Sequence, residues 1–460
     1  MLARLGQRIS AVFRASAPDP FVIAVLLTVV TFVLVLALTD AGPFDIIDSW
    51  SADAGVWAFL GFSMQMCLIL VTGHALASSP PVAAVLKRLA NIPKTGAQAA
   101  FLIAFVAAAL GVLNWGLGLI GGAILARDVG RALESRGVRA HYPLLAASGY
   151  LGLLTWHGGF SGTAPLKVTT ERELRDVLGQ TADLVQPMPL TETILSPMNL
   201  VVTGGLLLLA PLVMALLTPK RKDQMEPASH FISARESAPH AERQERAPFL
   251  PNLLENTPIV SFLLAAMIGV WAWRYYLPSD LAQSGVRNLT PNTVNLTMLM
   301  LGLVLHGTPR RYIQAVEDAV RGCAGIILQF PLYAGIMGMM HASGLTAMFA
   351  ERLAAGANET TLPIFTFFSA GVVNLFIPSG GGQWGVQGPI AIQAALDAGV
   401  APAKMVMAVA YGDQLTNMLQ PFWALPLLAV TGVKARDIVG YTAMLMIFAG
   451  AWMVLWLAVF

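Results

Sequence analysis

One acid and one histidine stand inside apolar sequence, where charge is costly. Asp413 lies in YGDQLTNMLQPFWALPL (Tyr411–Leu427), with Gln414, Thr416, Asn417 and Gln420 close by. His157 lies in YLGLLTWHGGFSGTAPL (Tyr150–Leu166), directly before Gly158 and Gly159 and close to Ser161 and Thr163. A charge at the centre of a bilayer costs about 2.5–3.5 kcal/mol on insertion scales unless it is paired or neutralised. Asp413 could therefore carry a proton, or ligate Na⁺ together with oxygens of Thr416, Asn417 and Gln420. His157 could titrate or hydrogen-bond a substrate. This chemistry is ion coupling and recognition, and it needs no catalytic residue, cofactor or resident metal.

A second set of residues suits an anion. Pro378-Ser379-Gly380-Gly381-Gly382-Gln383 cannot continue a helix comfortably, because proline removes a backbone donor and glycines weaken helix. The next helical arm then starts with free N–H groups, which attract a carboxylate. Ser379, Gln383 and Gln387 could add side-chain hydrogen bonds, with Asn374 just upstream. A stretch of the same kind, GVLNWGLGLIGGAI (Gly111–Ile124), brings Asn114, Gly118, Gly121 and Gly122.

The two stretches are copies in outline. Gly111 and Asn114 match Gly371 and Asn374 at a shift of 260, and Tyr150, Thr155, Pro165 and Leu166 match Tyr411, Thr416, Pro426 and Leu427 at 261. Duplicated helix-breaking segments suggest a secondary transporter, with substrate held where broken helices of two repeats meet.

These segments need a membrane to position them. The chain of 460 residues is 56% hydrophobic and only 12% charged, whereas soluble proteins carry about 25% charged residues. A net charge of +2 gives no sign of a nucleic-acid partner. Cys67 and Cys323 fall in apolar segments and read as core residues. The run Phe21–Leu38 is too long for a signal-peptide core and reads as the first transmembrane helix. The expected fold is an all-α polytopic membrane protein of two inverted repeats. It has about nine spans, at 19–39, 53–77, 142–166, 191–217, 257–277, 291–306, 322–344, 404–430 and 437–460. Two re-entrant hairpins with short arms, 97–126 and 361–395, accompany them, and 142–166 and 404–430 are broken helices.

With the N-terminus inside, 21 of the 28 Lys and Arg face the cytoplasm, which favours that orientation and an external C-terminus. The units are a first repeat (1–217), a flexible cytoplasmic linker (218–255), a connecting helix and loop (256–290) and a second repeat (291–460). The connecting span has no counterpart in the first half, so the second repeat is upside down. Amphipathic pieces 80–91 and 345–356 read as interfacial helices leading into each hairpin. The expected partners are a small carboxylate and membrane lipid, with a homodimer possible.

Gly159-Phe160-Ser161-Gly162 has the G-x-S-G form found around the nucleophile of rhomboid intramembrane proteases, and His74 or His341 could serve as its base. The second half lacks such a Ser–His pair, so a hydrolase is the remote alternative. No GxxxxGK[ST] loop and no HExxH occur.

NWGLGLIGGAILAR (Asn114–Arg127), HGGFSGTAPL (His157–Leu166), IPSGGGQWGVQGP (Ile377–Pro389) and YGDQLTNMLQPFWALP (Tyr411–Pro426) carry a family resemblance. The chain resembles the short-chain fatty acid transporter family, the AtoE-type permeases of bacteria, over nearly its whole length. The resemblance implies uptake of monocarboxylates such as butyrate or acetoacetate across the inner membrane, coupled to H⁺ or Na⁺. It also implies a fold similar to the ion transporter superfamily, whose sodium-coupled members use Ser-Asn-Thr hairpin tips. This chain has Ser161-Gly162-Thr163 and Pro378-Ser379-Gly380 instead. A carrier of other small anions, including dicarboxylates, is the alternative, against which the lack of intramembrane Lys and Arg argues.

Overall fold

The computed structural model describes residues 2–16, 18–178, 183, 185–232, 248–279, 290–354 and 357–460. Among them the regular structure is helical throughout. The first half runs α1 (Leu2–Ser16), α2 (Pro20–Leu38), α3 (Pro43–Ser51), α4 (Leu60–Ser78), α5 (Pro80–Ala90), α6 (Gly96–Leu113) and α7 (Trp115–Ser135). It continues with α8 (Tyr142–Gly149), α9 (Gly152–Thr155), α10 (Thr163–Leu166), α11 (Glu171–Leu178) and α12 (Pro197–Leu216). Helices α13 (Phe249–Asn256) and α14 (Ile259–Tyr276) join the halves. The second half runs α15 (Pro291–His306), α16 (Pro309–Val320), α17 (Ala324–Ala342), α18 (Leu345–Ala354) and α19 (Leu362–Phe376). It ends with α20 (Gly380–Ala398), α21 (Pro402–Thr416), α22 (Leu425–Thr431) and α23 (Ala435–Val459).

Local chemistry sets many of these starts. Asp19, Thr95, Ser196, Thr290 and Ser379 cap their helices by accepting a backbone N–H of the first turn. Proline opens α2, α12, α15 and α21, where its missing donor costs nothing.

Among the described residues seven helices are long and apolar enough to cross a membrane: α2, α4, α6, α12, α14, α17 and α23. Helix α2 leaves Val22, Leu26, Val29, Val33 and Leu36 exposed, and α14 leaves Phe262, Leu263, Met267 and Val270 exposed, as lipid-facing flanks require.

The two halves pack in matching order. Helices α2 and α3 lie on α17, while α15 and α16 lie on α4. Each half thus lends its opening helices to the other. The pairings α5–α7, α6–α7 and α6–α12 recur as α18–α20, α19–α20 and α19–α23. The shallow contact of α22 with α7 is answered by α10 with α20.

The structure differs from the sequence expectation in three places. The first hairpin has arms of 18 and 21 residues and the second arm of the other hairpin has 19, so these arms are not short. The glycines of the first hairpin stay helical, and Asn114 alone interrupts the helix, in extended backbone (φ −159°, ψ 132°). Those glycines instead allow close approach: a Cβ at Gly122 would run into the carbonyl of Gly149, and one at Gly118 would lie 2.7 Å from Gly111 Cα. Second, Leu2–Ser16 is an amphipathic helix, with Arg14 bound to Glu226 and Asp437. Third, part of the expected linker is docked. Glu226 O accepts from Tyr142 N–H (2.8 Å), Ser229 binds Glu134, and Phe231 packs on Tyr142. Residues 233–247 of that linker, 280–289 of the connecting loop and 355–356 of the second interfacial piece lie outside the described residues.

Candidate functional site

The breaks of both halves meet in one buried network. His157 Nδ1 lies 3.0 Å from Asp413 Oδ1, and both side chains are almost fully buried. The pair joins the loop after α9 to the end of α21, so each partner comes from a different half. Ala164 N–H donates to His157 Nε2 (3.0 Å). Nε2 therefore carries no hydrogen, and Nδ1–H donates to the carboxylate. The imidazole N–H thus gives the buried acid a hydrogen-bond donor inside the apolar interior. Asp413 Oδ2 is buried and has no partner.

The loop holding His157 is fastened from four sides. Gln414 Oε1 accepts from His157 N–H (3.1 Å) and Gly158 N–H (3.2 Å). Asn199 Nδ2 donates to Gly158 O (2.8 Å), and Asn199 Oδ1 accepts from Thr203 and from Tyr411 OH. Phe160 N–H donates to Val112 O (2.8 Å), while Gly159 lies too close to Val112 for a Cβ. Ser161 Oγ accepts from Trp115 N–H (3.0 Å), so its hydroxyl closes the start of α7 and makes no described bond to an imidazole.

On the second half, three oxygens converge on one nitrogen. Asn374 Nδ2 lies 2.9 Å from Asp413 O, 3.0 Å from Thr416 Oγ1 and 2.9 Å from Asn417 Oδ1. An amide has two hydrogens, so the three acceptors share them. Gln420 Nε2 donates to Asn374 O. Asn374 Oδ1 and Gln420 Oε1 are buried without partners. Tyr150 OH reaches across from the first half to Asn417 O (3.0 Å).

A cavity of ≈290 Å³ opens beside this network. Its walls are aromatic: Phe62, Trp115, Trp156 and Trp423, with Trp115 and Trp423 edge to face at 5.2 Å. Its polar end is Thr163, Ser379, Gly380 and Gly381. Ser379 Oγ caps α20 at Gly382 N–H (3.2 Å), whereas the N–H groups of Gly380 and Gly381 make no described hydrogen bond. The lining contains no Lys or Arg. A larger recess of ≈360 Å³ lies under the docked linker, among Gly130, Glu134, Tyr142 and Ala228, away from the breaks.

The expected site residues thus fall into groups. His157, Gly158, Asp413, Thr416, Asn417, Gln420 and Asn374 form the network. Thr163, Ser379, Gly380 and Gly381 reach the cavity, and Gly382 belongs to the α20 cap. Asn114 caps α7, accepting from Gly116 and Leu117 N–H, so the start of that helix is already occupied. Gly118 and Gly122 lie at close backbone contacts, and Gly121 faces Leu110. Gln383 and Gln387 tie α20 to α19 through Ala370 O and Ser369 Oγ.

Sequence reasoning missed Asn199, Tyr411 and the tryptophan walls. The tryptophans had a signal: Trp115, Trp156 and Trp423 each sit within a few residues of a polar break. Asn199 had none, since a lone Asn near a helix start reads as a cap.

Comparison with known proteins agrees in kind. A family model described as "Short chain fatty acid transporter" matches residues 1–460. An Escherichia coli (strain K12) protein is 40% identical over 468 residues, covering 100% of both chains. One from Haemophilus influenzae is 36% identical over 449 residues, covering 97% of both. Both carry the name short-chain fatty acid transporter as a provisional assignment. Among solved structures, the YdaH transporter of Alcanivorax borkumensis aligns with TM-score 0.45 and 17% identity, over 96% of this chain and 97% of its own. Neisseria gonorrhoeae MtrF, described with a class of antimetabolite efflux pumps, aligns with TM-score 0.44 and 16% identity, over 98% and 97%.

Proposed function

The chain belongs to the short-chain fatty acid transporter family, and from that premise we propose that it is a secondary carrier importing short-chain monocarboxylates of the butyrate or acetoacetate kind. It works in a bacterial inner membrane, N-terminus inside and C-terminus outside. The observation that carries the reading is the cavity. Its aromatic walls suit a short alkyl chain, and the unused N–H groups of Gly380 and Gly381 suit one carboxylate. With no Lys or Arg in the lining, a second carboxylate would meet tryptophan and only the neutral amide of Gln65, so a monoanion fits better than a dicarboxylate.

The matching packing order of the halves supports two inverted repeats, with their breaks meeting between them. An inward-moving anion works against an inside-negative potential by about 2.3 kcal/mol per 100 mV. Co-transport of H⁺ or Na⁺ removes that cost. The network supports either ion: a proton on Asp413, or Na⁺ among Asp413 O, Thr416 Oγ1 and Asn417 Oδ1 once the Asn374 amide turns away.

The test is counterflow of labelled butyrate in proteoliposomes at mildly alkaline pH, where little permeant neutral acid exists. Short monocarboxylates should compete and dicarboxylates should not. Absence of labelled-butyrate counterflow alongside efficient counterflow of labelled succinate would sink the monocarboxylate reading.

A further inference from the structure

The His157–Asp413 pair lies one imidazole ring away from the polar end of the cavity. Gly380 is packed on that ring so closely that a Cβ there would lie 3.2 Å from His157 Cε1 and 3.2 Å from Thr163 Oγ1. The other imidazole nitrogen holds Ala164 N–H, the neighbour of Thr163. The carboxylate, the ring and both edges of the cavity's polar end therefore form one continuous contact.

We propose that Asp413 takes up the coupling proton on its unpartnered Oδ2, and that His157 is the positioning residue that ties this charge change to the substrate end of the cavity. The proposal rests on the carrier reading above. A hydronium ion supplies the proton: its O–H bond breaks, an O–H bond forms on Oδ2, and neutral water is released.

The geometry selects the acid over the imidazole. Nε2 already accepts from Ala164 N–H, so a proton there would set two N–H groups against each other. Nδ1 already bears its hydrogen. Oδ2 is the one polar atom of the pair without a partner.

Other titratable groups stand apart. Helices α9, α10, α12 and α19, which pack on or near α21, carry no Asp, Glu, Lys, Arg, His, Cys or Tyr. Helix α20 carries Asp397, bonded to Gln393 and exposed. Helix α23 carries Arg436, Asp437 and Tyr441 at its beginning, where Asp437 pairs with Arg14 and Tyr441 bonds His141. On α21 itself, Lys404 lies in the first turn and Tyr411 donates to Asn199. Tyr150 donates to backbone oxygens.

An anion at Gly380 and Gly381 would face the Asp413 carboxylate across the ring in a water-poor interior, where like charges repel strongly. Protonating Oδ2 removes that repulsion and weakens the grip of the carboxylate on Nδ1–H. Substrate anion and proton then bind together, so the site bears the same charge loaded as empty and the transport cycle moves no net charge.

Titration calorimetry of the full-length protein in detergent, with butyrate in two buffers of different ionisation heat, counts protons per ligand. Wild type should take up close to one proton per butyrate. Between about pH 6 and about pH 8 its affinity should fall by up to about tenfold per pH unit once Asp413 is ionised. Asp413→Asn, a stand-in for the protonated acid, should bind with no proton uptake and with pH-independent affinity. His157→Gln should bind more weakly and with a displaced pH profile, yet still take up the proton.

Proton uptake that persists in Asp413→Asn, or that vanishes only in His157→Gln, overturns the proposal. So does wild-type binding that is proton-free and needs Na⁺. Wild type that binds no short monocarboxylate at all sinks the carrier reading itself, which is a different failure. The wild-type proton count stands even if a variant does not fold.

Discussion

Two adjacent glycines in the first hairpin should respond very differently to the same methyl group. At Gly121 a Cβ would meet only Leu110 Cδ1 (2.7 Å), the far end of a flexible side chain. Alanine also gains about 0.8–1.0 kcal/mol of helix propensity there. Rotating Leu110 costs about as much, so Gly121→Ala should be close to neutral. At Gly122 the Cβ would strike the carbonyl of Gly149 and lie 2.8 Å from Ala107 Cβ. Both neighbours are fixed on packed helices, so α7 must move off α8. Overpacking of this kind costs about 1–3 kcal/mol, and the Gly118–Gly152 contact one turn away opens with it. Gly122→Ala should therefore lose about 1–2 kcal/mol even after the propensity gain. The assay is the fraction of monodisperse protein left after heating in detergent, run beside butyrate counterflow. Equal loss in both variants would refute the reasoning. So would a Gly122→Ala protein of normal stability and raised KM, since that would place this glycine on substrate rather than between helices.

Trp423→Ala should widen the cavity and improve competition by acids two to four carbons longer than butyrate, read by counterflow inhibition. Asn374→Ala should leave buried acceptors at Asp413 O, Thr416 and Asn417 without a donor, costing about 2–4 kcal/mol for two lost bonds. The same heating assay measures it, and an unchanged midpoint would contradict the convergence on that amide. Beside the docked segment, burial pushes His141 down to about 4, against the pull of Glu226. A lowered histidine is neutral in the fold and protonates when released, so the docked 221–230 segment is most secure above about pH 6.5. Its hold should weaken as pH falls from about 6.5 towards about 4, by at most about 3 kcal/mol. Protection factors in that segment, corrected for the slower intrinsic exchange in acid, should fall on acidification, and His141→Gln should flatten the response.

The polar breaks were readable in the sequence because glycine clusters, proline and a lone acid rarely fall together inside an apolar run unless a helix is interrupted there. His157 and Asp413 could be placed in different copies of one pattern, but nothing in a one-dimensional pattern aims one side chain at another. The span limits were readable for α2, α14 and α17, where hydropathy ends at a proline, a cap or a polar turn, whereas α4 and α12 start later than expected, at Leu60 and Pro197 rather than 53 and 191. The first hairpin was misjudged because glycine serves two ends. Gly118 and Gly122 look like helix breakers alone, yet they keep helical backbone and allow Gly152 and Gly149 to come close. Docking of Glu226 and Phe231 was unreadable for another reason. A polar segment rich in proline and serine reads as solvated until the face beneath it is known.

The exchange of opening helices between the halves also sets a timetable for biogenesis. Helices α2 and α3 leave the ribosome first, yet their packing partner α17 lies in the second half. At about 5–20 residues per second, the interval from Leu38 to Ala324 lasts roughly 15–60 s. Through that time the early helices wait without the partner on which both of them pack. A chain cut in the linker should yield two pieces that each insert but neither of which matures alone. Co-expressed, the pieces should find each other, because each carries the segment that the other lacks.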